Sequence, residues 1–249
     1  MSNFIPQSST TLFLDIGNSS IKAAYKEGMQ WKNPNNVEVT NASELINWIN
    51  KSQQHFKHVV IASVVPDVTD LIVDRLESAT HHILEPSDIP LELLDYKTPK
   101  TLGIDRFFAC YGAISHTSKA VVVIDSGTAC TVDYMSADEI YRGGVIMPGV
   151  SVIEKSLRKF TPNLPHVQRF IPKQWPGKST KQSLQWGISG MVKKSIEGYL
   201  SEYESSFDEF DVVLTGGDAE WMASILDYES KVRPMLVFEG MQRYMEYIS

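Results

Sequence analysis

Leu12–Tyr25 reads LFLDIGNSSIKAAY, and Val122–Met135 reads VVIDSGTACTVDYM. Each is an apolar run ending in Asp, then a tight Asp-x-Gly turn with a small polar pair, then a second alternating run. Aligning Asp15 with Asp125 also aligns Gly17 with Gly127, Asn18 with Thr128 and Ser19 with Ala129. One such hairpin is common, because Gly-bearing turns often join two strands. Two, near the starts of the two halves, point to a duplicated domain with a phosphate-gripping loop on each side of a cleft.

Working outward from the first copy, the pattern predicts strands at Leu12–Ile16, Ser20–Tyr25 and near 30–33. A helix follows, introduced by Asn41 or Ser43, with Leu45, Ile46, Ile49 and Phe56 on its apolar face. His58–Val65 reads as a strand. Asp67 to Asp70 reads as capping chemistry for a helix to about Ala79, followed by a strand at His82–Leu84 and a helix at about Gly103–Ser115. The second half repeats the plan, with strands at Ala120–Asp125, Cys130–Met135 and Ile140–Ile146 and a helix at Val150–Lys159. A Pro- and Gly-bearing loop, Thr161–Lys178, leads to a long helix near Thr180–Tyr203. Strand Val212–Thr215, helix Asp218–Leu226, strand Met235–Phe238 and a closing helix complete it. A three-strand meander followed by alternating helices and strands, stated twice, is an α/β duplication. The halves divide at 1–116 and 117–249, where Ser115–Lys119 turns polar.

Bulk properties narrow the function. With 249 residues, 43% hydrophobic and 21% charged, the chain is ordinary globular material and not a disordered segment. A net charge of −7 argues against a nucleic-acid partner. No apolar run nears the roughly 18 residues that span a bilayer, and the start, MSNFIPQSSTT, lacks the basic and apolar regions of a signal peptide. Cys110 and Cys130 have neither metal-ligand nor redox spacing, and two cysteines fit a reducing cytoplasm. The six histidines are scattered without ligand spacing.

Five segments carry residue types suited to chemistry. The Asp15 loop sets backbone N–H groups from Ile16 to Ser19 around a turn where Gly17 admits an anion, Asp15 can face a water-coordinated Mg²⁺, and Lys22 adds positive charge. Asp125-Ser-Gly-Thr-Ala offers a hard anionic oxygen for a cation and the Thr128 hydroxyl for a phosphate. In Leu214-Thr-Gly-Gly-Asp-Ala219, Gly216 and Gly217 let an adenine or ribose approach the backbone, while Asp218 can cap the helix. Gly103-Ile-Asp-Arg106 opens a helix, so Asp105 and Arg106 can serve as base and anion clamp or simply as helix-start charge with Arg106 solvated. Gly143 to Gly149 reads as close strand packing and a helix entrance.

Taken in order, DIGNSS, LGIDR, IDSGTACTVDY, GGVIMPG, KST and TGGDA resemble the type III pantothenate kinases, from Leu12 to about Gly240. That family belongs to the actin/hexokinase/Hsp70-like phosphotransferases. The resemblance implies two ribonuclease-H-like domains flanking a nucleotide cleft, and transfer of the ATP γ-phosphoryl group to the 4′-hydroxyl of pantothenate, the entry step of coenzyme A synthesis. It implies ATP contacts at Asp15, Ile16, Gly17, Asn18, Ser19, Ser20, Ile21 and Lys22, and again at Thr128, Gly216 and Gly217. It implies a K⁺ or NH₄⁺ ligand at Asp125 and a substrate segment of Gly103, Ile104, Asp105 and Arg106, with Asp105 as catalytic base. Tyr96 and Thr180 match further pantothenate contacts, Thr180 near the interface of a homodimer. Mg²⁺ enters with ATP. The family more often has Thr where this chain has Ser19, which keeps the hydroxyl and alters only fine positioning. A non-catalytic regulatory protein on this fold would be expected to lose Asp105-Arg106 or a phosphate loop. A sugar kinase of the superfamily usually carries larger insertions than 249 residues allow.

Overall fold

β1 (Thr11–Ile16) is buried at every residue, as expected of a strand covered on both faces. The computed structural model describes residues 11–52, 54–207 and 209–249; residues 1–10, which precede the recognisable motifs, lie outside them. The chain forms two compact units. One comprises the residues up to His116, with Glu139–Tyr141 and Met235–Ser249; the other comprises Thr117–Asp138 and Arg142–Pro234.

In the first unit β1 is followed by β2 (Ser20–Glu27), β3 (Gln30–Glu38), α1 (Ala42–Lys51), β4 (His58–Ser63), α2 (Pro66–Arg75), β5 (Thr80–Leu84) and α3 (Ile104–Ala113). The sheet order is β3-β2-β1-β4-β5. The first three strands run as an antiparallel meander, while β4 and β5 run parallel to β1. Leu12, Leu14 and Ile16 pack with Leu45, Ile46, Ile49 and Ile72 in one core. Phe56 lies beyond the end of α1 and joins that core from the loop, not from the helix as the spacing predicts. Val65 occupies the N-cap position of α2 without a side-chain cap bond. Pro66 starts that helix, its missing N–H costing nothing in the first turn, so Asp67 sits inside the helix and is not its cap.

In the second unit the elements are β6 (Ala120–Ser126), β7 (Ala129–Met135), β8 (Tyr141–Pro148, whose first residue falls in the other unit), α4 (Val150–Phe160), α5 (Thr180–Gln185), α6 (Met191–Ser206), β9 (Phe210–Thr215), α7 (Ala219–Ile225) and β10 (Ser230–Val232). The order β8-β7-β6-β9-β10 reproduces the first sheet, with β6 antiparallel to β7 and parallel to β9. Two mixed sheets of one topology are the duplication expected from the repeated hairpins, and of the ribonuclease-H-like kind that the resemblance implies. The predicted single helix over 180–203 is divided by a π-helical segment at Trp186–Gly190.

The expected strand at Met235–Phe238 is instead the start of α8 (Leu236–Tyr247), and the last strand is β10. Leu236, Val237, Phe238, Gly240, Met241, Tyr244 and Met245 are all buried, so the apolar run serves a helix packed on α3. The crossing is close because two glycines meet there: a Cβ on Gly112 would strike the Leu236 carbonyl, and one on Gly240 would strike that of Phe108. A short apolar run bounded by Pro234 reads equally as strand or helix from periodicity alone.

Candidate active site

The first hairpin is built as its sequence suggests. Asp15 stands opposite Lys22 across β1 and β2, and Lys22 Nζ lies 3.5 Å from its carboxylate. Asp15 is 8% exposed. The Gly17 N–H donates to Ser20 O at 2.9 Å, which closes the turn, while Asn18 and Ser19 are exposed. A Cβ on Gly17 would meet nothing nearer than Ser20 O at 3.5 Å. The chain's own packing therefore does not demand glycine here, and the bare backbone suits an approaching phosphate.

The second hairpin is not a strict copy. Ser126 pairs with Cys130, leaving three turn residues, whereas Ile16 pairs with Ile21, leaving four. The Gly127 N–H accordingly donates to Ala129 O, one residue closer than in the first turn. The alignment of Ser19 with Ala129 slips by one, and Asp125 stands opposite Thr131 where Asp15 stands opposite Lys22. Thr128 is exposed at the tip, and its carbonyl accepts from the Gly149 N–H at 2.9 Å, so the entrance of α4 docks on this loop.

Asp125, half-buried near the end of β6, pairs with Thr215 on β9 and lies against Gly216. Gly216 has φ +89°, and a Cβ there would run into the Asp125 carboxylate and come within 2.7 Å of the Ser126 carbonyl carbon. The fold thus joins two motifs 90 residues apart in sequence. A Cβ on Gly217 would meet nothing within 4 Å, leaving an open backbone face. The Asp125 carboxylate is a hard oxygen donor, the type alkali and ammonium cations take. Burial first, and then the charge of Asp125, push the Cys130 thiol up to about 12, so Cys130 is an inert core residue.

Asp218 occupies the N-cap position of α7, but its side chain makes no cap bond. Its N–H donates to Ser126 O at 3.0 Å, and its carboxylate takes a 2.5 Å hydrogen bond from Arg169. The expected cap is replaced by an ion pair.

In the first unit Gly103, Ile104, Asp105 and Arg106 open α3. Asp105 is half-buried, and its Oδ1 accepts from the Arg106 N–H at 2.9 Å. A Cβ on Gly103 would stand 2.8 Å from that oxygen, so glycine makes room for the folded-back carboxylate. Arg106 is buried, not solvated. Its guanidinium carbon lies 6.0 Å from the centre of the Tyr141 ring, and Tyr96 packs on the same ring at 5.8 Å. Tyr141 also fixes the segment before Tyr96, accepting the Asp95 N–H at 2.9 Å. Tyr96 and Arg106 are therefore gathered by a residue that the motifs did not single out. Tyr141 is fully buried at the edge of a predicted strand and 35 residues from Arg106, so no spacing rule links the two.

Thr180, in the second unit, is the exposed first residue of α5. Ser179 caps that helix by accepting from the Gln182 N–H at 3.3 Å.

A family model for type III pantothenate kinase matches residues 11–202. A type III pantothenate kinase from Flavobacterium johnsoniae is 31% identical over 237 residues, covering 95% of this chain and 97% of the relative. One from Christiangramia forsetii is 34% identical over 195 residues, or 74% of this chain and 78% of the relative. A solved structure described as a Baf family transcriptional activator from Campylobacter jejuni superposes with a TM-score of 0.65 over 95% of this chain and 98% of its own. At 24% identity that likeness speaks to the fold alone.

Proposed function

The chain belongs to the type III pantothenate kinase family, and on that premise we propose how its own residues carry out the reaction. The enzyme transfers the γ-phosphoryl group of ATP to pantothenate, with a divalent metal, in the first step of coenzyme A biosynthesis. The oxygen of the pantothenate 4′-hydroxyl bonds to the γ-phosphorus as the bond to the bridging oxygen of ADP breaks. The hydroxyl proton passes to a carboxylate.

Asp105 is that carboxylate. The observation that carries the assignment is its place in the first turn of α3, two residues from the room made by Gly103 and next to the buried Arg106. A free carboxylate is too weak a base to ionise an alcohol beforehand, so Asp105 orients the hydroxyl and takes its proton late, as a loose phosphoryl-transfer transition state allows. Arg106 and Tyr96, both on Tyr141, hold the carboxylate end and nearby oxygens of pantothenate. Gly103 and Ile104 supply the backbone there.

Asp15 to Lys22 binds ATP phosphates, and Asp15 would hold the hydrated Mg²⁺ that comes with them. When bound, that ion supplies charge neutralisation for the phosphates. Thr128 takes a phosphate oxygen, and Gly216 and Gly217 take the adenosine. Asp125 would hold K⁺ or NH₄⁺, which the chemistry of its carboxylate oxygens fits. We read residues 1–116 and 117–249 as the duplicated halves, with α8 of the second carried onto α3 of the first.

The partner protein is a second copy of the chain. In support, Ile146, Phe160, Phe170 and Trp175 are more than half exposed on β8, α4 and the following loop, an unusual apolar offering to water. Thr180 contacts pantothenate near that interface. The enzyme works in the cytoplasm, in keeping with two free thiols; among the described residues no helix is long and apolar enough to cross a membrane. A panel assay with ATP, K⁺ and either pantothenate or common sugars tests the reading. Phosphorylation of pantothenate alone supports it, and phosphorylation of a sugar in its place contradicts it. Sedimentation at a protomer mass of 28.0 kDa would refute the dimer.

A further inference from the structure

Arg169 lies in the loop between α4 and α5, outside every motif that carries the phosphotransfer chemistry. Its guanidinium forks onto Glu154 of α4, with Nε to Oε1 at 3.0 Å and Nη2 to Oε2 at 2.9 Å. Its remaining nitrogen, Nη1, donates to Asp218 Oδ1 at 2.5 Å, and the group lies 5.6 Å from the Trp221 ring centre on α7. The three side chains are only 20–28% exposed. A planar fork that satisfies two carboxylates and stacks on an indole is a fixed joint, unlike a mobile surface ion pair.

Asp218 forgoes something to enter this joint. An Asp at an N-cap ordinarily accepts a backbone N–H of the first helical turn, a bond worth about 1 kcal/mol. Here no such bond forms, and the carboxylate faces Arg169. Asp218 directly follows Gly216 and Gly217, and its own N–H is tied to Ser126 O. Arg169 therefore fixes the far end of the turn whose near end is wedged on Asp125.

We propose that Arg169 is a positioning residue for ATP, holding the Gly216–Gly217 turn through Asp218 in the shape on which the adenosine packs. The proposal rests on the reading of that turn as the adenosine segment. It separates the two substrates: Arg169 touches Glu154, Asp218 and Trp221 and none of the residues read as holding pantothenate, so its loss falls on the nucleotide turn.

The test compares wild type, R169M and R169K. The readouts are KM for ATP and for pantothenate, thermal midpoint, and calorimetric affinity for a non-hydrolysable ATP analogue. R169M should weaken analogue binding and raise KM for ATP tenfold or more, with KM for pantothenate within twofold and the enzyme still folded at the assay temperature. R169K, which keeps the charge without the fork, should recover part of the loss. Unchanged analogue affinity in R169M, or equal rises in both KM values, overturns the role of Arg169 while leaving the nucleotide site standing. If R169M does not fold, D218N supplies the same comparison, and unaltered ATP affinity there overturns the proposal. Wild type that binds no analogue overturns the adenosine reading of the turn and the role of Arg169 with it.

Discussion

Asp125 and Gly216, distant in sequence, meet so closely that no side chain fits at position 216 without displacing the Asp125 carboxylate. The next residue, Gly217, faces open space. Adjacent glycines thus stand in different surroundings, one enclosed by the fold and one open.

This contrast gives a paired expectation. Gly216→Ala combines a left-handed backbone, costing roughly 1–2 kcal/mol, with overpacking of roughly 1–3 kcal/mol. It should lower stability by about 2–5 kcal/mol in urea titration. Gly217→Ala should stay within about 0.5 kcal/mol of wild type yet raise KM for ATP several-fold. Equal stability losses in the two variants would show that the turn is not divided in this way.

Activity should depend on the monovalent cation. Replacing K⁺ with Na⁺ at constant ionic strength should cut kcat/KM for ATP by tenfold or more, and Asp125→Asn should abolish the difference between the two salts. Equal rates of the wild-type enzyme in either salt would remove the cation from Asp125.

Stability should fall on mild acidification because of a histidine pair on β4 and β5. His58 Nδ1 lies 3.3 Å from His82 Nε2. Burial, reinforced by Lys57, lowers the pKa of His58; burial, reinforced by His58 and His81, lowers that of His82. Both rings are neutral in the folded protein at pH values where the unfolded chain already binds protons. Their contribution is whole above the unfolded value of about 6.5 and is lost as pH falls through the lower folded values. Urea midpoints from pH 8 to pH 5 should decline below about 6.5, and His82→Gln should flatten the decline. A slope identical in wild type and variant would place the acid sensitivity elsewhere.

Much of this was legible in the chain. The paired Asp-x-Gly hairpins announced two sheets of one topology, because an apolar strand, a glycine turn and a second strand are local signals. Asp105, Arg106 and Gly103 were likewise visible as a helix start. Relationships carried by packing across elements were not. Tyr141 of β8 joins Tyr96 to Arg106, and Asp218 pairs with Arg169 in place of capping α7. Neither pairing has a sequence spacing. The one-residue slip in the second hairpin was hidden because both loops share their first Gly, and only the strand register counts the residues between. Met235–Phe238 misled because four apolar residues serve a strand or a buried helix equally well.

The most direct test of the account is single-turnover phosphorylation of pantothenate by wild type and Asp105→Asn, with ATP and pantothenate affinities measured on the same preparations. Loss of the late proton acceptor should slow phosphoryl transfer by 10²-fold or more, within the range for general bases, while both affinities stay within about threefold and the thermal midpoint holds. A variant that transfers phosphate at near wild-type rate would contradict the central claim and take Asp105 out of the chemistry.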